Sequence, residues 1–157
     1  MADRLRAMSR VALVNALLLD PEAAEPAPGG LLLEGERIAA RLAAGEPAPE
    51  SARRVDLAGR ALAPGFLDVH YHGALVFGEV AETQAVLART ARELLAHGVT
   101  GFLPTTVAWP EAELEARVAA LAEACAVSAP DGATPLGLHL EGPWIAPGAA
   151  GAQPERG

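Results

Sequence analysis

The chain has 157 residues, 51% of them hydrophobic and 20% charged, which is enough apolar material for one ordinary domain with a core and argues against disorder. Twenty acidic residues oppose 12 basic ones, all of them arginine, for a formal net charge of -8, and this excludes the basic face that a nucleic-acid partner requires. The single cysteine, Cys125, rules out an intrachain disulfide framework and a cysteine-based zinc site, and fits a reducing, cytoplasmic setting.

At the N-terminus Arg4, Arg6 and Arg10 precede the apolar run 11–19, which has the outline of a short signal peptide. Asn15 interrupts the run, and Asp20-Pro21 follows in place of a small-residue cleavage site, so a first β-strand ending in a turn is the better reading. No apolar run approaches the roughly 20 residues that span a bilayer, and no membrane partner is expected. Residues 11–62 read as short β-like pieces, with reversals expected at Asp20-Pro21, Gly29-Gly30, Glu34-Gly35 and Ala58-Gly59. That pattern predicts part of a small antiparallel sheet or sandwich over 1–62. The Ala- and Pro-rich stretches 22–28 and 43–52 are expected to be solvated loops.

Beyond Pro64 the rhythm changes to strand, helix, strand, helix, strand, the signature of a parallel sheet built from βα units over 63–157. A strand is predicted over 66–71. A helix over 81–97 follows, with apolar positions at Val86, Leu87, Leu94 and Leu95 and a stop at Gly98. A second strand is predicted over 99–107, and a second helix over 110–127 with Pro110 as its first residue. Leu114, Val118, Leu121 and Cys125 recur on one face of that helix, which makes the cysteine a core residue. A third strand is predicted over 135–143.

The stretch "PGFLDVHYHG" carries the chemistry. In an extended chain Asp68, His70 and His72 project to one face while Leu67, Val69 and Tyr71 project to the other. Two imidazoles two residues apart lie about 6.5 Å apart along a strand, near enough to converge on one cation. By itself such a pair is a weak signal and is often structural. Its context strengthens it, because His139 and Glu141 share a face of the third strand and both clusters fall at carboxyl ends of strands, where parallel α/β sheets build their sites.

Glu141 has an alternative reading as a buried carboxylate bonded to amides of the Gly142-Pro143 turn, since some partner must offset burial of its charge. Asp68 is expected to orient a ligand histidine or to be structural, His139 to be a hydrogen-bonded strand residue near the site, and His97 to need no role beyond its helix end. Thr105 and Thr106 are candidates to line the cleft. Two histidines and a glutamate suit zinc, iron or manganese.

"LAPGFLDVHYHG" resembles the first barrel strand of the amidohydrolase superfamily, and the β-rich start ending in "VDLAGRALAPG" is similar to that superfamily's small sandwich domain. More narrowly, "HGVTGFLPTTV" with "GLHLEGPWIAPGAAGAQP" resembles the N-acetylglucosamine-6-phosphate deacetylase family. The resemblance implies an α/β fold comprising the first three βα units of a TIM-like metal-dependent hydrolase barrel, preceded by part of a small β-sandwich domain.

It further implies that the glutamate matching Glu141 is a metal ligand and that the pair matching His70 and His72 binds metal in members that retain it. The residues matching Ala152 and Gln153 contact substrate, and some members have histidine where Gln153 stands. The family's two remaining histidine ligands and its catalytic aspartate fall beyond Gly157, and an eight-stranded barrel takes about 250 residues. The chain therefore reads as an N-terminal fragment that is inactive and poorly stable alone.

The implied activity of the complete enzyme is metal-assisted hydrolysis of the acetamide of N-acetylglucosamine 6-phosphate to glucosamine 6-phosphate and acetate. The implied cofactor is a divalent ion, zinc or iron, the partner a phosphorylated amino sugar, and the assembly a homodimer. Rival readings are another amidohydrolase acting on a cyclic amide or deaminating a base, and a non-catalytic metal-binding remnant.

Overall fold

The computed structural model describes residues 10–76, 78–127, 131–146 and 148–153. Arg4, Arg6 and Gly157 lie outside them. The chain forms two units, Met1–Pro64 and Gly65–Gly157. No helix among the described residues is long and apolar enough to cross a membrane.

The first unit is a five-stranded sheet: β1 (Arg10–Leu18), β2 (Ala27–Glu34), β3 (Arg37–Ala43), β4 (Arg53–Asp56) and β5 (Ala61–Leu62). The order is β3-β2-β1-β4, with β5 also paired to β1. The β1–β2 and β2–β3 pairs are antiparallel, but β4 and β5 run parallel to β1, so the sheet is mixed where an antiparallel one was expected. Period-two alternation on β1 buries Ala12 and Val14 against Leu32 and Leu42.

The reversals at Asp20-Pro21, Glu34-Gly35 and Ala58-Gly59 fall in or at the turns between strands, whereas Gly29-Gly30 does not. Both glycines lie inside β2, where a Cβ on Gly30 would run into the Leu13 carbonyl and one on Gly29 would stand 2.8 Å from the Leu42 carbonyl. They permit a close approach of strands beside a register shift in β1. At that shift Asn15 takes φ 55°, and its amide donates to Asp56 at 2.7 Å. Asp56 also accepts from the Ala58 N–H at 2.9 Å and pairs with Arg54.

The second unit runs β6 (Phe66–Tyr71), two short 3-10 turns (Gly73–Val76 and Val80–Glu82), α1 (Thr83–Ala96), β7 (Val99–Pro104), α2 (Glu111–Ala126) and β8 (Thr134–Pro135). The strands are parallel in the order β6-β7-β8. Leu87, Ala91 and Leu94 recur at helical spacing and pack with Leu121 and Ala124 of α2 around Phe102, the buried centre of β7. Helix α1 ends as expected, with Gly98 at φ 84°.

On α2 Leu121 is fully buried while Leu114, Val118 and Cys125 are half-buried. Cys125 packs against the core, and burial pushes its thiol pKa up. Leu95, expected on the apolar face of α1, is exposed, because the buried stripe passes through Leu87, Thr90, Ala91 and Leu94.

Leu67 and Val69 of β6, which pairs with β7 at the edge of the sheet, are exposed. One strand expectation differs from the structure. The strand expected over 135–143 is reduced to Thr134–Pro135. Pro135 has no N–H to give to a ladder, and Gly137 sits at φ 146°. The chain still follows β7, through Leu136 N–H to Phe102 O at 2.9 Å and His139 N–H to Pro104 O at 3.0 Å.

Phe102→Ala should remove the residue on which both helices close and cost about 3–5 kcal/mol, read as loss of the cooperative urea transition by circular dichroism. In the first unit the Asp56 carboxyl is held low by the Ala58 N–H first and then by Asn15 and Arg54. Its stabilisation should therefore be present above the ordinary value of 3.8 and vanish as pH falls through the lower folded value. Acid titration of Asp56→Ala should show a flatter stability profile over that window than the parent chain.

Candidate metal centre

His70 lies in β6, His72 one residue past its end, and Glu141 on the strand-like segment beyond β8. One atom of each converges: His70 Nε2 and His72 Nε2 are 3.0 Å apart, and Glu141 Oε2 is 2.9 Å from the first and 3.0 Å from the second. Among the described residues these three form the group of potential metal ligands.

The end of β7 brings them together. The Thr105 hydroxyl accepts the Tyr71 N–H at 3.0 Å and donates to the Leu103 carbonyl, while the Thr105 N–H donates to the Tyr71 carbonyl at 2.8 Å. On the other side, Thr106 N–H donates to His139 O at 3.0 Å. Its hydroxyl accepts the Glu141 N–H at 2.9 Å and donates to the Glu141 carbonyl at 3.2 Å. Both threonines are buried. They were expected to line a cleft; instead they strap the two ligand-bearing segments to β7.

The protons can be placed by elimination. His72 Nδ1 faces the Thr105 carbonyl at 3.2 Å, and a carbonyl only accepts, so Nδ1 carries hydrogen, the tautomer whose neutral form offers an Nε2 lone pair to the cluster. Glu141 Oε2 is buried without a hydrogen-bond partner. Two imidazole nitrogens and a carboxylate oxygen about 3.0 Å from one another make a donor set that fits a divalent ion. Burial pushes the Glu141 carboxyl up, but a hydrogen bond from Gln153 and the positive potential of His70 and His72 outweigh it, holding the pKa below the ordinary 4.5.

The neighbouring residues have definite places. Asp68 Oδ1 accepts the His70 N–H at 3.1 Å, fixing the backbone at one ligand. His139 bonds the Val69 carbonyl through Nδ1 at 2.9 Å and packs edge-on against His70 with centroids 4.7 Å apart. His97 is exposed at the end of α1. Gln153 accepts the Ala108 N–H at 2.9 Å and so reaches the centre, while Ala152 is exposed beside it. Sequence reading missed this bridge to Ala108, and it missed Arg117, which stacks on Trp109 at 4.6 Å and donates to the Gly78 carbonyl at 2.9 Å. The adjacent threonines just past a strand were the one legible sign of the strap.

No protein-family model matches the chain. The N-acetylglucosamine-6-phosphate deacetylase of Homo sapiens is 42% identical over 105 residues, 65% of this chain and 25% of its own length. The N-acetylgalactosamine-6-phosphate deacetylase of Escherichia coli O157:H7 is 35% identical over 113 residues, 72% of this chain and 29% of its own. The chain is similar in sequence to N-acetylglucosamine-6-phosphate deacetylases. It spans about a quarter of the length of these curated relatives.

Solved structures of the same deacetylase agree. The one from Pasteurella multocida superposes with a TM-score of 0.72 at 27% identity, over 93% of this chain and 38% of that one. A mutant from Mycobacterium smegmatis in complex with N-acetyl-D-glucosamine-6-phosphate gives 0.62 at 28% identity, over 88% and 34%. Because the Thr106 hydroxyl straps Glu141 to β7, Thr106→Val should cost about 1–3 kcal/mol by leaving the Glu141 N–H and carbonyl unpaired, and Thr106→Ser should restore most of it. Equal urea midpoints for the Val and Ser variants would show that the hydroxyl does not matter.

Proposed function

We propose that this chain supplies part of the active site of an amino-sugar-phosphate deacetylase, which hydrolyses the acetamide of N-acetylglucosamine 6-phosphate to glucosamine 6-phosphate and acetate. The observation that carries the reading is the triangle of His70 Nε2, His72 Nε2 and Glu141 Oε2, all within 3.0 Å of one another, in a chain whose sequence relatives are deacetylases. On this reading residues 63–157 are the first three βα units of a (β/α)8 barrel and residues 1–62 part of a small β-sandwich domain. The protein works in the cytoplasm as a homodimer.

His70, His72 and Glu141 would hold a zinc or iron ion. When bound, such an ion polarises the amide carbonyl and makes water a better nucleophile at neutral pH. The chain's own groups have separable tasks. Thr105 O keeps the His72 proton on Nδ1, so that its Nε2 is a ligand and not an acid. Asp68 fixes the backbone at His70. The loop ending at Ala152 and Gln153 would form a wall on the sugar side, a reading supported by the family resemblance; the relative from Mycobacterium smegmatis is in complex with N-acetyl-D-glucosamine-6-phosphate.

A general base is still needed to move the proton. Glu141 and Asp68 are committed to the ion and to the His70 N–H, and the family resemblance places the base beyond Gly157. The purified 157-residue chain should therefore take up a divalent ion yet release acetate from N-acetylglucosamine 6-phosphate no faster than buffer. Titration calorimetry with zinc and an acetate assay test the two halves. Absence of zinc binding sinks the metal-centre reading, and zinc-dependent acetate release, lost in a His70→Ala and His72→Ala double variant, would require a complete active site within these residues.

A further inference from the structure

The strand that carries His70 is irregular at that residue. Asp68 pairs with Phe102 and Tyr71 with Pro104, so β6 takes three steps where β7 takes two, and the extra residue makes a bulge around Val69 and His70. A bulge leaves backbone groups without ladder partners, and here side chains take them up. Asp68 Oδ1 accepts the His70 N–H at 3.1 Å. The Val69 carbonyl accepts from His139 Nδ1 at 2.9 Å, which must carry the hydrogen because a carbonyl only accepts. The Val69 carbonyl and the His70 N–H belong to one peptide unit, so Asp68 and His139 grip that unit from its two ends.

His139 is itself firmly placed. Its backbone N–H donates to Pro104 O and its carbonyl accepts the Thr106 N–H, both at 3.0 Å, so the residue is fixed on β7. From there its side chain reaches across the sheet to a residue 70 positions earlier, joining the segment of Glu141 to the one that bears His70. The two histidine ligands differ in what orients them. His72 is held by the Thr105 carbonyl, whereas among the described residues the His70 ring has polar contacts with His72 and Glu141 alone. The His139 ring packs edge-on against it, with centroids 4.7 Å apart and planes at 81°.

We propose that His139 is a positioning residue for the metal ligand His70, its Nδ1–H holding the Val69 carbonyl and thereby the bulge that aims the imidazole at Glu141 and His72. This role rests on the metal-centre reading and deepens it. A bulge re-aims the side chain it carries, so rotation of the Val69–His70 peptide would swing the imidazole. A hydrogen bond at each end of that peptide opposes the rotation.

The test is zinc affinity of the whole 157-residue chain, measured by calorimetry with a competing chelator, with the visible spectrum of the cobalt-loaded chain as a geometric readout. His139→Phe keeps a ring to pack on His70 but loses the donor, and should weaken zinc binding about 10- to 100-fold and shift the cobalt bands. His139→Asn sets an amide N–H near the place of Nδ1 and should bind within a few-fold of the parent chain. His139→Ala is measured alongside with the loss expected of the Phe variant, so that misfolding of one, seen by circular dichroism, leaves the comparison intact. A folded Phe or Ala variant with a lowered urea midpoint, but with zinc affinity within about twofold of the parent and unmoved cobalt bands, would mark a purely structural residue and overturn the proposal. An Asn variant that binds as weakly as the Phe variant would overturn it too, and in both cases the metal centre would stand. A parent chain that binds no zinc would overturn both.

Discussion

The structure of the second unit depends on the buried hydroxyls of Thr105 and Thr106 at the end of β7. Each sits in the core-facing side of a strand end with almost no exposure, and there a hydroxyl must find partners or destabilise the fold. The partners it finds are backbone groups of Tyr71 on one side and of Glu141 on the other. The same energetic requirement that satisfies the threonines therefore fixes the distance between β6 and the segment after β8. His72 and Glu141 converge because the chain on either side has been tied to one strand, and their side chains need supply little of the force.

That arrangement explains how the cluster stays assembled. Three potential ligand atoms about 3.0 Å apart would separate if only their own side-chain torsions held them. Backbone ties elsewhere oppose the drift, and the Thr105 carbonyl adds a specific constraint by keeping the His72 proton away from the centre. The positive potential of the imidazoles and the Gln153 amide hold Glu141 in its charged form against the effect of burial. A site of this kind is preorganised for a cation, with part of the cost of assembling the ligands already met by folding.

Much of this was legible in the sequence, for identifiable reasons. Period-two spacing placed His70 and His72 on one face of a strand, and a glutamate at the end of a later parallel strand pointed to the same end of the sheet. The helices expected over 81–97 and 110–127 run over 83–96 and 111–126, close to the ends marked by Gly98 and Pro110. What escaped depends on contacts distant in sequence. Gly29 and Gly30 read as a turn because local rules cannot see a neighbouring strand pressing on the glycines. The strand expected at 135–143 broke at Pro135 and Gly137, whose effects on pairing depend on the register with β7. Gln153 meets Ala108 across 45 positions, and no local pattern announces such a bridge.

Two glycines bear on how the ligands are aimed. Each of the last two ligands is followed at once by a glycine at positive φ, Gly73 at 50° after His72 and Gly142 at 78° after Glu141. A Cβ on Gly73 would collide with the Tyr71 ring, and one on Gly142 would stand 2.9 Å from the Ala108 Cβ. In both places the chain must turn sharply away just after delivering a ligand, over a surface too close for any side chain. The residues beneath are also those that hold the centre: Tyr71 is bound by Thr105, and Ala108 anchors Gln153. Backbone conformation and ligand placement are therefore coupled at both ends, so a substitution at either glycine would displace the neighbouring ligand as well as strain the turn.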